Sequence, residues 1–137
     1  MVPDAGEAAA WYPRAFGAEE RSRVPVPGGR VMTVELAIGS SVLHVGSEFP
    51  DFGILSPRSI GGTATVLQIE TDDARSLWAR AVVTGAEARG GLGEQFWGEL
   101  QGQLVDPFGH RWNVAQRLRG VPHDEIVAAA AEVFGWA

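Results

Sequence analysis

The sequence of 137 residues contains no cysteine. Disulfides, thiolate nucleophiles and thiolate metal sites are therefore excluded. It is also short of base: eleven Lys and Arg stand against seventeen Asp and Glu, a formal charge of −6. Surfaces that grip nucleic acid or anionic membranes are basic, so neither is expected as a partner. No apolar run approaches the roughly 18 residues of a membrane span. The opening Met1-Val2-Pro3-Asp4 lacks the basic and apolar regions of a signal peptide, and a cytoplasmic location is the expectation. No serine sits in a nucleophile elbow, and no glycine-rich loop precedes a helix as a phosphate cradle requires.

What is present reads as one globular domain. Hydrophobic residues are 45% and charged residues 20% of the chain, enough for a sizeable core with a solvated surface. Two stretches read as helices with the same ending. Asp4 is a good N-cap ahead of "GEAAAWYPRAF", and Gly17 can take the left-handed closing position. "TDDARSLWARAVVTGA" repeats the plan. Asp72 or Asp73 caps it, Leu77, Trp78, Ala81 and Val82 form an apolar stripe, and Gly85 ends it. Laying Gly17 on Gly85 puts "GAEER" (17–21) on "GAEAR" (85–89) and Asp4 on Asp72, an offset of 68. The chain is internally duplicated. Pro13 falls inside the first helix and should kink or shorten it, at a cost of roughly 3 kcal/mol.

Extended segments follow each helix. "EERSRVPVP" meets "RVMTVELAIG" across Gly28-Gly29, a hairpin signal, and "SSVLHVGSEF" follows. In the second half "EARGGLGEQFW", "GELQGQLV" and "HRWNVAQ" follow in the same order, the last after an Asp-Pro-Phe-Gly turn. "TATVLQIET" (63–71) precedes the second helix as a further strand, whereas only Met1-Val2-Pro3 stands before the first. An incomplete sheet presents an open edge, and a homodimer that covers it is expected.

A βαβββ unit occurring twice resembles the glyoxalase, bleomycin-resistance and extradiol-dioxygenase (vicinal oxygen chelate) superfamily. "AAAWYPRAFGAEE", "GGRVMTVELAIGSSVLHV", "LWARAVVTGAEA" and "VDPFGHRWNVA" are similar to its glyoxalase-like, bleomycin-resistance-like branch, over residues 2–117. The resemblance implies an α+β fold in a single domain. Two tandem modules, 1–49 and 63–117, would curl a mixed sheet around a cleft, joined by a connection over 50–62 and followed by a helix over 122–135. It also implies dimers in which halves from two chains complete a barrel. Metal enzymes of the family place a ligand on the first and last strand of each unit. Here His44, Asn113 and Val66 would take three of those positions, and the fourth falls before Met1. Valine donates nothing to a divalent ion, so neither metal nor other cofactor is expected.

Strand side chains alternate between faces. Leu43, Val45, Trp112 and Val114 would face the helices, leaving Val42, His44, Arg111 and Asn113 for the cleft. The row Met32, Val34, Leu36 and Ile38 would be buried, turning Thr33, Glu35 and Ala37 inward. Val66, Gln68, Gln101, Gln103 and Val105 would face the cleft too. The expected ligand-binding set is Glu35, His44, Gln68, Gln101, Gln103 and Asn113, with Phe96 and Trp97 at a strand turn. Mostly neutral amides, these suit a polar organic ligand. Glu35 and His44 are also the candidate catalytic pair, a carboxylate orienting an imidazole. His110 reads as part of its turn, and Trp11, Trp78 and Trp112 as core. The apolar connection "SEFPDFGILSPRSI" (47–60) suits a lid, an interface or a linker packed on the core. The terminal stripe Ile126, Val127, Ala130, Val133 and Phe134 suits docking on this chain or a partner. Metal-independent binding or sequestration of a small organic molecule is the leading expectation. A lyase or isomerase using Glu35 and His44 is the alternative, and a dimer with a vestigial cleft is a third.

Overall fold

Both helix starts are set by a carboxylate cap. In the computed structural model, which describes residues 1–136, α1 (Ala5–Phe16) begins after Asp4, whose side chain accepts the Glu7 N–H at 3.0 Å. Gly17 closes the helix with φ 69°. Pro13 lies inside and does not shorten it. Trp11, Tyr12, Ala15 and Phe16 are all buried, and that burial, roughly 1.5–3 kcal/mol for each large side chain, outweighs the lost hydrogen bond. The second long helix, α3 (Ala74–Val83), is capped by Asp73, which accepts the Ser76 N–H at 3.0 Å. The repeat is thus 69 residues at the helix starts (Asp4 to Asp73, Ala5 to Ala74) and 68 at Gly17 to Gly85. The pairing of Asp4 with Asp72 is corrected accordingly: the stretch from the capping Asp to the closing Gly is one residue longer in the first half. Of the α3 stripe Leu77 and Ala81 are buried, Trp78 is half-buried and Val82 is exposed.

Each helix leads into an antiparallel meander. The first comprises β1 (Glu19–Pro25), β2 (Val31–Ile38) and β3 (Ser41–Gly46), in that order. The connection holds a 3₁₀ turn at Pro50–Phe52 and a short helix, α2 (Pro57–Ile60). The second sheet contains β4 (Val66–Glu70), β5 (Glu87–Glu94), β6 (Glu99–Val105) and β7 (Arg111–Arg117), in the order β4-β7-β6-β5. β4 is parallel to β7 and the other pairs are antiparallel. In the first half a single parallel bridge, Val2 to Ser47, stands where β4 meets β7. Both pairings join residues 45 apart (2 to 47, 66 to 111). The architecture is α+β, two open curled sheets carrying helices on one face.

The core lies between helices and sheets, and α1 serves both halves. Its Tyr12 and Phe16 rings meet Trp112 of β7 at centroid distances of 5.9 and 4.9 Å. The Trp11 indole donates to the Thr84 carbonyl at 2.8 Å, and Arg80 donates from α3 to the Ala15 carbonyl at 3.0 Å. Ser47 is fully buried: its hydroxyl accepts the Ala5 N–H and donates to the Val31 carbonyl, tying α1 to β2. Two expectations fail at the edges. Met32 is exposed, because the pairing of β1 with β2 shifts between Val24 and Pro25 and buries Val31 instead. Ala37, expected in the cleft, is buried. Finally α4 (His123–Phe134) buries none of its residues on this chain.

Candidate functional site

The Asp-Pro-Phe-Gly-His turn is architecture built around one carboxylate. Asp106 is buried, and its Oδ1 accepts the backbone N–H of Phe108 and of His110, both at 2.9 Å. Its Oδ2 accepts the Tyr12 hydroxyl at 2.6 Å and the Trp112 indole at 2.8 Å. Four donors satisfy the charge without a cation, and they lock α1 to the start of β7. Burial, and then the Asp106 charge, push the Tyr12 hydroxyl far above the ordinary tyrosine range. His110 is occupied as well, its Nε2 lying 2.6 Å from the Met1 carbonyl oxygen.

The first sheet presents a short polar row away from the helices. Antiparallel pairing sets Ser22 opposite Glu35 and Glu35 opposite His44. Glu35 accepts the Ser22 hydroxyl at 3.0 Å, and its other oxygen lies 3.5 Å from His44 Nε2. The imidazole is 70% exposed, so water competes for this pair. Leu43 and Val45 turn towards the core, as alternation requires.

The second sheet carries the corresponding row across four strands. Gln68, Asn113, Gln103 and Arg89 are successive partners in the ladder. Around them Arg111 donates to the Gln103 amide oxygen at 2.9 Å, and Gln101 to that of Gln68 at 3.4 Å. Glu35 and Gln103 hold equivalent places, as do His44 and Asn113. Phe96 and Trp97 stack edge to face at 4.8 Å in the β5–β6 turn, where the indole donates to Glu99. Ser22 and Arg89 escaped the sequence reading. Counting outward across each hairpin would have found them, but register shifts beside both residues spoil the count. Two cavities, of about 710 and 260 Å³, open where β3 and β4 face each other. Gln68 lines the larger and His44 the smaller, whereas Glu35, Gln101, Gln103, Asn113, Phe96 and Trp97 line neither.

The model of the Glyoxalase/Bleomycin resistance protein/Dioxygenase superfamily matches residues 1–114. The chain belongs to this superfamily. An uncharacterized protein of Mycobacterium bovis is 35% identical over 132 residues, 94% of this chain and 87% of that one. Among solved structures, a gene product of Arabidopsis thaliana is 28% identical, with TM-score 0.67 over 83% of this chain and 89% of that one. TnmS3, an antibiotic binding protein from Streptomyces sp. CB03234, shares the fold at TM-score 0.60 and 22% identity, covering 85% of this chain and 90% of that one.

The metal-binding geometry of the superfamily does not fit the residues present. The positions in question hold one imidazole (His44), one carboxamide (Asn113) and the hydrocarbon of Val66, which is no donor set for a tightly held divalent ion. Among the described residues no three His, Asp or Glu side chains converge. The superfamily scaffold here carries amides, two arginines and one Glu–His pair, which together offer hydrogen-bond donors and acceptors.

Proposed function

We propose that the protein binds a polar small organic molecule on the open sheet faces, without a metal, as a homodimer in the cytoplasm. The row Gln68–Asn113–Gln103–Arg89 carries this reading. Among the described residues none bonds the Asn113 side chain, whose carboxamide can both donate to and accept from a ligand. Phe96 and Trp97 would supply an apolar wall. TnmS3, an antibiotic binding protein, offers a precedent for such a use of the fold. The exposed Val127, Val133, Phe134 and Trp136 of the C-terminal segment favour a second copy as their cover.

Native mass spectrometry of protein purified from its own host tests binding directly. A bound organic mass, lost in Asn113→Ala and Gln103→Ala, supports the proposal; a ligand-free spectrum with tightly held metal overturns it. Light scattering tests the dimer, which a mass of 14.6 kDa at every concentration would defeat. The separation of 3.5 Å between Glu35 and His44 favours a second reading, a lyase or isomerase with these as acid–base pair. Turnover abolished by both Glu35→Gln and His44→Gln would decide for it.

A further inference from the structure

The polar row of the second sheet is not uniform: around Gln103 mostly donors are left over. Gln103 stands directly opposite Arg89 of β5 and Asn113 of β7. Its amide oxygen accepts from the Arg111 guanidinium at 2.9 Å, which leaves its NH2. A guanidinium carries donors and no acceptor. Arg111 joins no ion pair among the described residues. Arg89 meets Glu87 at 3.5 Å, with both side chains more than half exposed, and such a pair yields readily to a better acceptor. The β4 end of the row is different. There Gln101 donates to Gln68, which donates to the Glu70 carboxylate, both at 3.4 Å.

Beside the donor cluster the face is bare. Between the pairs Arg89–Gln103 and Gly93–Gln101, β5 has three residues where β6 has only Gly102. This bulge packs Leu92 against the core and sets Gly93 opposite Gln101. A Cβ at Gly93 would meet nothing closer than Gln95 Nε2, at 3.8 Å. Further along, the Trp97 indole bonds Glu99, whose side chain shares the face of Gln101 and Gln103 by strand alternation. Phe96 packs edge-on against that indole. Four residues of β6 separate Gln103 from Glu99, a span of about 14 Å. The face thus offers, in line, an anion receptor, a gap without a side chain and an aromatic end.

We infer that this face takes an aromatic carboxylic acid, its carboxylate at Gln103 between Arg89 and Arg111 and its ring over Gly93 towards Trp97. The inference rests on the small-molecule reading of the same face and adds the class of ligand. A carboxylate brings acceptors alone and matches the donors left over at Gln103. A neutral amide of the same shape would set its own NH2 against them. Glu99 repels a carboxylate at the Trp97 end, so the charge also fixes which way round the ligand lies.

The test titrates the protein with 2-naphthoate and, separately, with 2-naphthamide. Calorimetry gives each Kd, and nitrogen-15 NMR follows the side-chain amides of Gln103 and Asn113. The acid should bind roughly tenfold or more tightly than the amide, and raising salt from about 20 to 500 mM should erode most of that advantage. Arg89→Gln and Arg111→Gln should each weaken the acid about fivefold or more while leaving the amide within about twofold, a split that general loss of folding would not produce. Equal affinity for acid and amide, with Gln103 and Asn113 both shifted, would overturn the inference and leave the small-molecule reading standing. Shifts confined to other parts of the chain, or none with either compound, would overturn the inference and count against the reading beneath it.

Discussion

Replacing Asp106 should expose how much of the fold hangs on one carboxylate. In Asp106→Asn the retained oxygen can still accept the N–H groups of Phe108 and His110. The other position becomes an NH2 facing the Tyr12 hydroxyl and the Trp112 indole. The hydroxyl can reverse and accept, but the indole N–H cannot, and it is left buried against another donor. Bonds to a charged acceptor contribute roughly 1.5–3 kcal/mol each, and a stranded buried donor costs about 1–3 kcal/mol. About 2–3 kcal/mol is therefore expected for Asn. Ala strands all four donors, and about 4 kcal/mol or more follows, short of a full sum because the four share one network. Against a typical total of roughly 5–15 kcal/mol, the Ala variant would be close to unfolding. Urea unfolding followed by tryptophan fluorescence measures both. An Asn variant within about 0.5 kcal/mol of wild type would refute the hub, since no mismatch of donors could then be present.

Other consequences are as accessible. Tyr12 is the one tyrosine, so phenolate absorbance reports it alone; none should appear as pH rises past the ordinary tyrosine value until the chain unfolds. Its raised pKa means stability is fully present below about pH 10 and falls by about 1.4 kcal/mol per pH unit above it, a slope that Tyr12→Phe should lack. Gly102→Ala would bring a Cβ within 2.6 Å of the Trp78 ring and should cost about 1–3 kcal/mol by thermal unfolding. Ser47→Ala strands the Val31 carbonyl and the Ala5 N–H and should cost about 1–3 kcal/mol in urea titration, against under 0.5 kcal/mol for an exposed serine such as Ser41.

Much of the fold was legible because its determinants are local or periodic. Asp4 and Gly17 bound α1, Gly28-Gly29 turns the first hairpin, and apolar alternation in "SVLHV" and "HRWNV" sets which side chains enter the core. The duplication supplied the order of elements. The errors fell where a one-residue irregularity intervened. Asp4 is matched by Asp73 and not by Asp72, and Val31 rather than Met32 is buried, since parity inverts with every inserted residue. The same shifts hid Ser22 and Arg89, which only the strand ladders bring beside Glu35 and Gln103. Local propensity expects Pro13 to kink or shorten the helix, but the burial around it carries the helix on to Phe16.

By itself, then, the sequence determined the α+β class, the repeated unit and the face of most strand residues, because caps, turns and two-residue alternation act between near neighbours. The tertiary structure alone decided which distant groups the polar side chains of the last turn bond. His110 and Asp106 sit four residues apart, yet the first bonds the Met1 carbonyl and the second bonds Tyr12, partners 109 and 94 residues distant. Only folding brings them within 2.6 Å. The pair of cavities between β3 and β4 is of the same kind. Each strand is readable alone, but their facing edges exist only once α1 has packed against both sheets and fixed the distance between them.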